Sequence, residues 1–450
     1  MRAYERLLEY VKVKTPSSEE NMETPSSSCQ FKLAERLVGE MKELGIEDAA
    51  VDGKCYVYGT IPATEGYENS PSLGFIAHMD TVSEFTENPI HPVLHENYDG
   101  QNLVFDEGGR VLDTVLFPHL KNLKGRTLIT SDGTTILGAD DKAGVAEIMT
   151  MAERVLTENI PHGQISIGFT PDADFPVIFC EKGTTGIKGG SKVYDKGHIE
   201  VEYFGGGIAD NVVIPTCKLI VKGDIKVAET EGITVTHENG KTIVEAVGRS
   251  AHGSTPHLGV NAAILLLNAV KENEFGGEFQ QLMEFLLKEI GTETNGESLG
   301  VHYVDEETGE TTVNLGIVYY DGEETYFTLD VRYPKNADPK VVDDTLINHI
   351  NSYTFDVLRK NNHKILYVPK DSELVTKLVH VYEEETGEHL EPLAIGGGTY
   401  AKKFQNMVAF GPVFPGEADV IHQPDEHVEV EKLLRALQIT AAAMYELAKK

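Results

Sequence analysis

The sequence predicts an α/β fold, a mixed sheet flanked by helices, with an α+β domain inserted into it. Three observations carry this expectation. Strand-like and helix-like segments alternate up to about residue 185, β-rich segments between Gly-rich turns fill 186–372, and the alternation returns over 373–450. The first domain is therefore expected to be discontinuous, built from 1–185 and 373–450 around the insertion at 186–372. At 450 residues the chain exceeds what one ordinary core supports.

Taken in order, Tyr4, Leu7, Leu8 and Val11 stand at i, i+3, i+4 and i+7, the spacing of an amphipathic helix. The same stretch lacks the long apolar region of a signal peptide. After a Pro- and Ser-rich loop, Leu33, Leu37, Met41 and Leu44 mark a second helix that Gly45 stops. Strands are expected over 55–61, 73–77 and 164–169, a helix from Asp140 to about Leu156, and an irregular polar excursion over 82–124. Within the insertion, IEVEYF, CKLIVKGDIKVAE, ITVTHENGKTIVEAVG and TVNLGIVYYDGEETYFTLDVRY read as strands, and 260–271 and 278–290 as helices. A helix over 374–384, a strand over 407–411 and a terminal helix over 430–447 complete the chain.

The charge excludes some partners. With 39 basic against 72 acidic residues the net charge is −33, unsuited to nucleic acid or an anionic membrane, both of which need a basic face. No apolar run approaches the length of a membrane span. Four cysteines, Cys29, Cys55, Cys180 and Cys217, show no CxxC spacing and read as free thiols in a reducing compartment, so a cytoplasmic location is expected.

The chemistry concentrates at two places. An apolar run ends in His78-Met79-Asp80, and Gly138-Ala139-Asp140-Asp141-Lys142-Ala143-Gly144 opens a helical stretch. Strand ends and helix starts are where open α/β sheets bind ligands. Each residue alone has a plain structural reading, His78 as a satisfied strand-end histidine and Asp140 as a helix cap. Together, an imidazole and a carboxylate suit a divalent cation, above all zinc, with Asp80 placed to fix the tautomer of His78. This pairing points to a metallohydrolase.

SDGTTILGADDKAG (131–144) and IAHMDTVSEFT (76–86) make residues 1 to about 172 resemble the peptidase T branch of the co-catalytic zinc exopeptidases. GRSAHGSTPHLGVNAA (248–263), ADNVVIP, LDVRYP and FPGEADVIHQPDE make the chain from about 171 to 450 resemble the dipeptidase V branch, so the whole reads as a composite of the two. The resemblance implies a zinc-exopeptidase catalytic domain with an inserted lid, and two Zn²⁺ ions per chain, with Co²⁺ or Mn²⁺ as substitutes. It implies His78 as a ligand of one ion, Asp80 as its assistant and Asp140 as the bridge between both. It also implies Asp172 as a ligand and His422 as the second ion's imidazole, with His427 as the competitor for that role. In the lid it implies His252 polarising the scissile carbonyl and Asn211 and Arg332 holding the substrate. Arg332 would grip a carboxylate bidentately, aided by the backbone N–H groups of Gly396, Gly397, Gly398 and Thr399.

One segment departs from the pattern. Where the family has Thr-Pro-Asp followed by two glutamates, this chain reads Thr170-Pro171-Asp172-Ala173-Asp174. Ala173 stands at the general-base position and cannot take a proton, which leaves Asp174 as the substitute, or a further ligand, and Glu181 as a more remote one. The function implied is a metal-dependent exopeptidase cleaving dipeptides or tripeptides through a metal-activated water, with low or absent activity. The alternatives are a silent metal- or peptide-binding relative and an amidohydrolase of N-acyl or N-carbamoyl amino acids. A short peptide is the expected partner, and the enlarged lid favours a monomer over a homodimer.

Overall fold

In the computed structural model the described residues are 1–18, 21, 23–83, 85–86, 88–105, 109–167, 173–207, 209–417, 420 and 424–448. Two units divide the chain: Met1–Phe179 with Val368–Leu393 and Thr399–Lys450, and Cys180–Tyr367 with Ala394–Gly398.

In the first unit the helix Ala139–Thr157 is buried on almost every side, and Val145, Ala146, Ile148, Met149 and Ala152 are fully buried. Amphipathic helices supply the same core from their inward stripes: Ala3, Leu7 and Tyr10 from Ala3–Tyr10, Leu33, Leu37 and Met41 from Phe31–Glu43, and Leu433, Leu437 and Met444 from Val430–Ala448. The sheet beside them runs Ala50–Val51, Val57–Ile61, Ile165–Ile167, Leu73–Phe75, with the last two parallel and the rest antiparallel. It is mixed and helix-flanked, as the sequence predicts.

Two stretches differ from expectation. The excursion over 82–124 contains the short strands Val93–His95, Leu103–Val104 and Val111–Leu112. Its sparse apolar residues gather into a satellite core of Tyr98, Phe105, Leu112, Leu120 and Leu128. The strand expected over 407–411 is reduced to a bridge between Ala409 and Ile178, because Gly411 takes φ +71° and Pro412 follows it. The strand itself is Pro412–Val413, parallel to Ala173–Asp174.

In the second unit eight antiparallel strands pair in the order Ile233–Glu238, Lys241–Val247, Thr216–Lys222, Val201–Gly206, Thr312–Tyr320, Glu324–Tyr333, Gly183–Lys192, Asp356–His363. The helices Ala262–Val270, Gly277–Phe285 and Pro339–Asn351 share a core with this sheet. The helix expected to run to Ile290 changes to a π turn over Leu286–Ile290. Phe279 is its aromatic hub, with ring centroids 5.5 Å from Phe204, 4.9 Å from Phe275 and 5.3 Å from Tyr320, in the edge-to-face geometry that aromatic quadrupoles favour. Phe279→Ala is expected to destabilise this unit by about 3–5 kcal/mol, read as an earlier urea transition.

The core of the first unit holds one anomaly. Glu147 is fully buried, and neither carboxylate oxygen has a hydrogen-bond partner among the described residues. Burial pushes its carboxyl well above the ordinary value of 4.5. The folded state therefore keeps a proton that the unfolded chain loses above that value, so stability falls as pH rises from about 4.5 towards the folded pKa. Glu147→Leu should remove this slope and raise stability at neutral pH by about 1–3 kcal/mol, measured by urea denaturation across pH 4 to 9.

Candidate metal centre and substrate-binding residues

The strand Leu73–Phe75 delivers His78 and Asp80 just beyond its end, and Thr81, which bridges to Pro16, secures that edge. The His78 Nδ1 atom lies 3.0 Å from the backbone oxygen of Asp80 and 3.5 Å from Asp80 Oδ1. A carbonyl oxygen can only accept, so Nδ1 carries a proton, and Nε2 is the nitrogen that holds either a second proton or a metal. That Nε2 points at Asp140 Oδ1, 3.1 Å away. A lone pair facing a carboxylate requires a cation between them, either a proton or a metal. Against the downward pull of burial, hydrogen bonds to Asp140 and Asp80 raise the His78 pKa well above 6.5. The donor set thus fits a divalent cation.

Asp80 is oriented in turn. Its carboxylate accepts from the Ser17 hydroxyl, and against the upward push of burial the His78 and Ser17 hydrogen bonds hold its pKa below the ordinary range.

Asp140 and Asp141 precede the regular part of their helix, at φ/ψ of −80°/108° and −115°/31°. Gly138 enters at φ +71°, where a Cβ would meet Thr81 Cγ2 at 3.0 Å, so only glycine fits without strain. Asp141 points inward and its carboxylate accepts from the backbone N–H groups of His78 (3.3 Å) and Gly144 (3.2 Å). One aspartate therefore faces the imidazole of His78 while the next ties down its backbone.

Sequence reasoning missed Glu426. It is 2% exposed, and its Oε2 accepts from the N–H groups of Leu137 (2.9 Å) and Gly138 (2.8 Å) while Oε1 accepts from Ala139 (2.9 Å) and Asp140 (3.4 Å). These are the donors of the loop that leads into the helix carrying Asp140. Lys142 was missed as well: it is fully buried, gives its ammonium to the Val13 carbonyl (2.9 Å), and burial brings its pKa down to about 7. The only sequence signal for Glu426 is its place within HQPDE.

Asp172 and His422 lie outside the described residues, and among those described no three His, Cys, Asp or Glu side chains form a metal cluster. Asp174 is half-buried on the strand Ala173–Asp174, anchored by Phe175, whose ring packs 4.9 Å from Phe414 and 5.0 Å from Phe410. His427 is committed to His119, with the two Nε2 atoms 3.0 Å apart, and its Nδ1 donates to the Asp425 carbonyl at 2.8 Å. Glu181 is fully buried on Ile178–Glu181, the central strand of three.

In the second unit the residues expected to hold substrate come together. Val212 bridges to His252, the Gly253 N–H donates to the Asn211 carbonyl at 2.6 Å, and a Cβ on Gly253 would stand 2.7 Å from Asp330 Oδ2. Arg332 donates to that same Asp330 oxygen through Nε (3.0 Å) and Nη2 (2.6 Å), and to the Gly396 carbonyl through Nη1 (2.8 Å). His252, Asn211, Arg332 and the start of the glycine loop thus form one neighbourhood. Arg332 is 6% exposed, and Asp330 fixes the orientation of its guanidinium.

The profile of Peptidase family M20/M25/M40 matches residues 131–446. A putative dipeptidase, YtjP of Bacillus subtilis, is 29% identical over 406 residues, 85% of this chain and 84% of that protein. Peptidase T of Alkaliphilus oremlandii is 46% identical over 173 residues, 38% of this chain and 42% of that protein, so the match spans under half of that relative. The crystal structure of aminopeptidase PepT from Bacillus cereus aligns with a TM-score of 0.55 over 100% of this chain and 98% of that one, at 16% identity, a likeness of fold.

Glu426→Gln would turn an amide NH₂ towards two of the N–H donors that the carboxylate now satisfies. The expected result is a loss of about 1–3 kcal/mol in unfolding free energy, measured in urea.

Proposed function

The chain belongs to Peptidase family M20/M25/M40, and on that premise we propose that it is a zinc-dependent exopeptidase acting on dipeptides or tripeptides. The observation that carries this reading is the His78–Asp140 pair, with Nε2 3.1 Å from a carboxylate oxygen. His78 and Asp140, with Asp172 and His422 from the sequence motifs, are the residues assigned to hold two ions. Zinc, when bound, supplies polarisation of the scissile carbonyl and acidification of a water.

The side chains of this protein do the rest. Asp80 keeps His78 in its ligand tautomer. His252 is assigned to donate to the developing oxyanion. Arg332, oriented by Asp330, and the N–H groups of Gly397 and Gly398 are assigned to the free carboxylate of the peptide, with Asn211 beside them. Three of the five N–H donors of Arg332 are used by Asp330 and Gly396, which leaves two for a carboxylate. The preference for dipeptides follows from these carboxylate-reading residues. A monomer in the cytoplasm is the accompanying proposal.

Ala173 favours a second reading, a relative that keeps the metal or the peptide without turnover. A positioned base contributes about 10²–10⁴-fold, and Asp174 is its only substitute close in sequence.

The discriminating experiment refills metal-free protein with Zn²⁺, Co²⁺ or Mn²⁺ and assays a panel of dipeptides and one tripeptide. Metal-dependent turnover that Asp140→Asn abolishes supports the peptidase. Metal retention without turnover supports the silent relative. Replacing Ala173-Asp174 by Glu-Glu is expected to raise kcat by at least about tenfold, and no gain with metal bound rejects Ala173 as the vacated base position.

A further inference from the structure

We propose that Ser254 is a positioning residue that holds His252 in the tautomer with its proton on Nε2; the inference rests on the role given to His252 above. The Ser254 hydroxyl lies 2.6 Å from His252 Nδ1, and the Ser254 backbone N–H donates to the same nitrogen at 3.3 Å. A backbone N–H has no acceptor capacity, so Nδ1 is the lone-pair nitrogen. In the neutral ring the proton then sits on Nε2. The hydroxyl, free to rotate, donates its own hydrogen to Nδ1 and fixes the ring plane.

The turn is built to hold this arrangement. Gly253 donates to Asn211 at 2.6 Å and leaves no room for a Cβ against Asp330 Oδ2 and Asn211, so the backbone between the two partners is pinned. The Thr255 N–H closes the turn on the His252 carbonyl at 2.9 Å. On the other side the Ser254 Cβ stands 2.7 Å from where a Cβ on Gly396 would be, and Gly396 is the residue whose carbonyl receives Arg332. Ser254 therefore sits between the imidazole and the start of the glycine loop.

The chemical consequence is directional. An imidazole that polarises a carbonyl must present N–H, because a lone pair aimed at the carbonyl oxygen would repel the charge that develops there. The opposite tautomer leaves His252 in place and useless.

The test uses the intact chain in two arms. Nitrogen-15 NMR of the histidines, with His252 assigned by its loss in His252→Gln, reads the tautomer in the resting protein. The wild type should show a protonated Nε2, and Ser254→Ala a mixture of both tautomers, with Ser254→Thr restoring the wild-type signal. In the kinetic arm Ser254→Ala should lower kcat about tenfold with KM nearly unchanged, and Ser254→Thr should recover it. A proton on Nδ1 in the wild type, or unchanged His252 signals in Ser254→Ala, overturns the proposal. A parent chain without turnover overturns the peptidase reading instead, and the NMR arm still decides the role of Ser254.

Discussion

The structure depends first on one carboxylate. Glu426 accepts from four successive N–H groups, 137 to 140, at the mouth of the helix that passes through the centre of the first unit. Each of those donors would cost about 1–3 kcal/mol if buried without a partner, and the helix dipole adds its own preference for negative charge there. The carboxylate resolves both at once, and it does so without using a side chain of the loop itself. Asp140 is thereby left available to face His78, and Asp141 to hold the backbone of His78. Arg110, paired with Asp425 at 2.6 and 3.0 Å, and His119, paired with His427, keep the neighbours of Glu426 in place.

A shared device orients the functional side chains of both units. His78 is fixed by Asp80, His252 by Ser254, and Arg332 by Asp330, each partner two residues away in the chain. For Asp330 and Arg332 the backbone is a strand, where residues i and i+2 face the same way, whereas Ser254 reaches His252 across a turn closed by the Thr255 N–H. This arrangement leaves each side chain pre-set before a ligand arrives, the condition under which polar groups act most strongly on developing charge.

That device also explains what the sequence discloses. His78, Asp80 and Asp140 were legible because HxD and GADDK are short patterns whose partners are local. Arg332 was legible as a strand residue, while its pairing with Asp330 needed only the same alternation. Glu426 was not, since its partners lie 286 residues earlier and a glutamate leaves no periodic trace. The satellite core at 98–128 was hidden for a related reason: five apolar residues scattered through a polar stretch carry no helical or strand period. The α/β architecture was readable from the alternation of elements, whereas the short strand at Pro412–Val413 was displaced by the positive φ of Gly411, a backbone property with no side chain to announce it.

The span between Asp140 and Glu426 has a meaning in time as well as in space. A ribosome adds roughly 5–20 residues per second, so the loop bearing the metal-competent aspartate leaves the exit tunnel about 15–60 s before the carboxylate that closes it. During that interval the loop is a set of bare amides, open to solvent and to proteases. A truncated translation product would carry every recognisable motif of the first half and lack the group that makes them a site. The maturation of this loop therefore waits on a segment made 286 residues later.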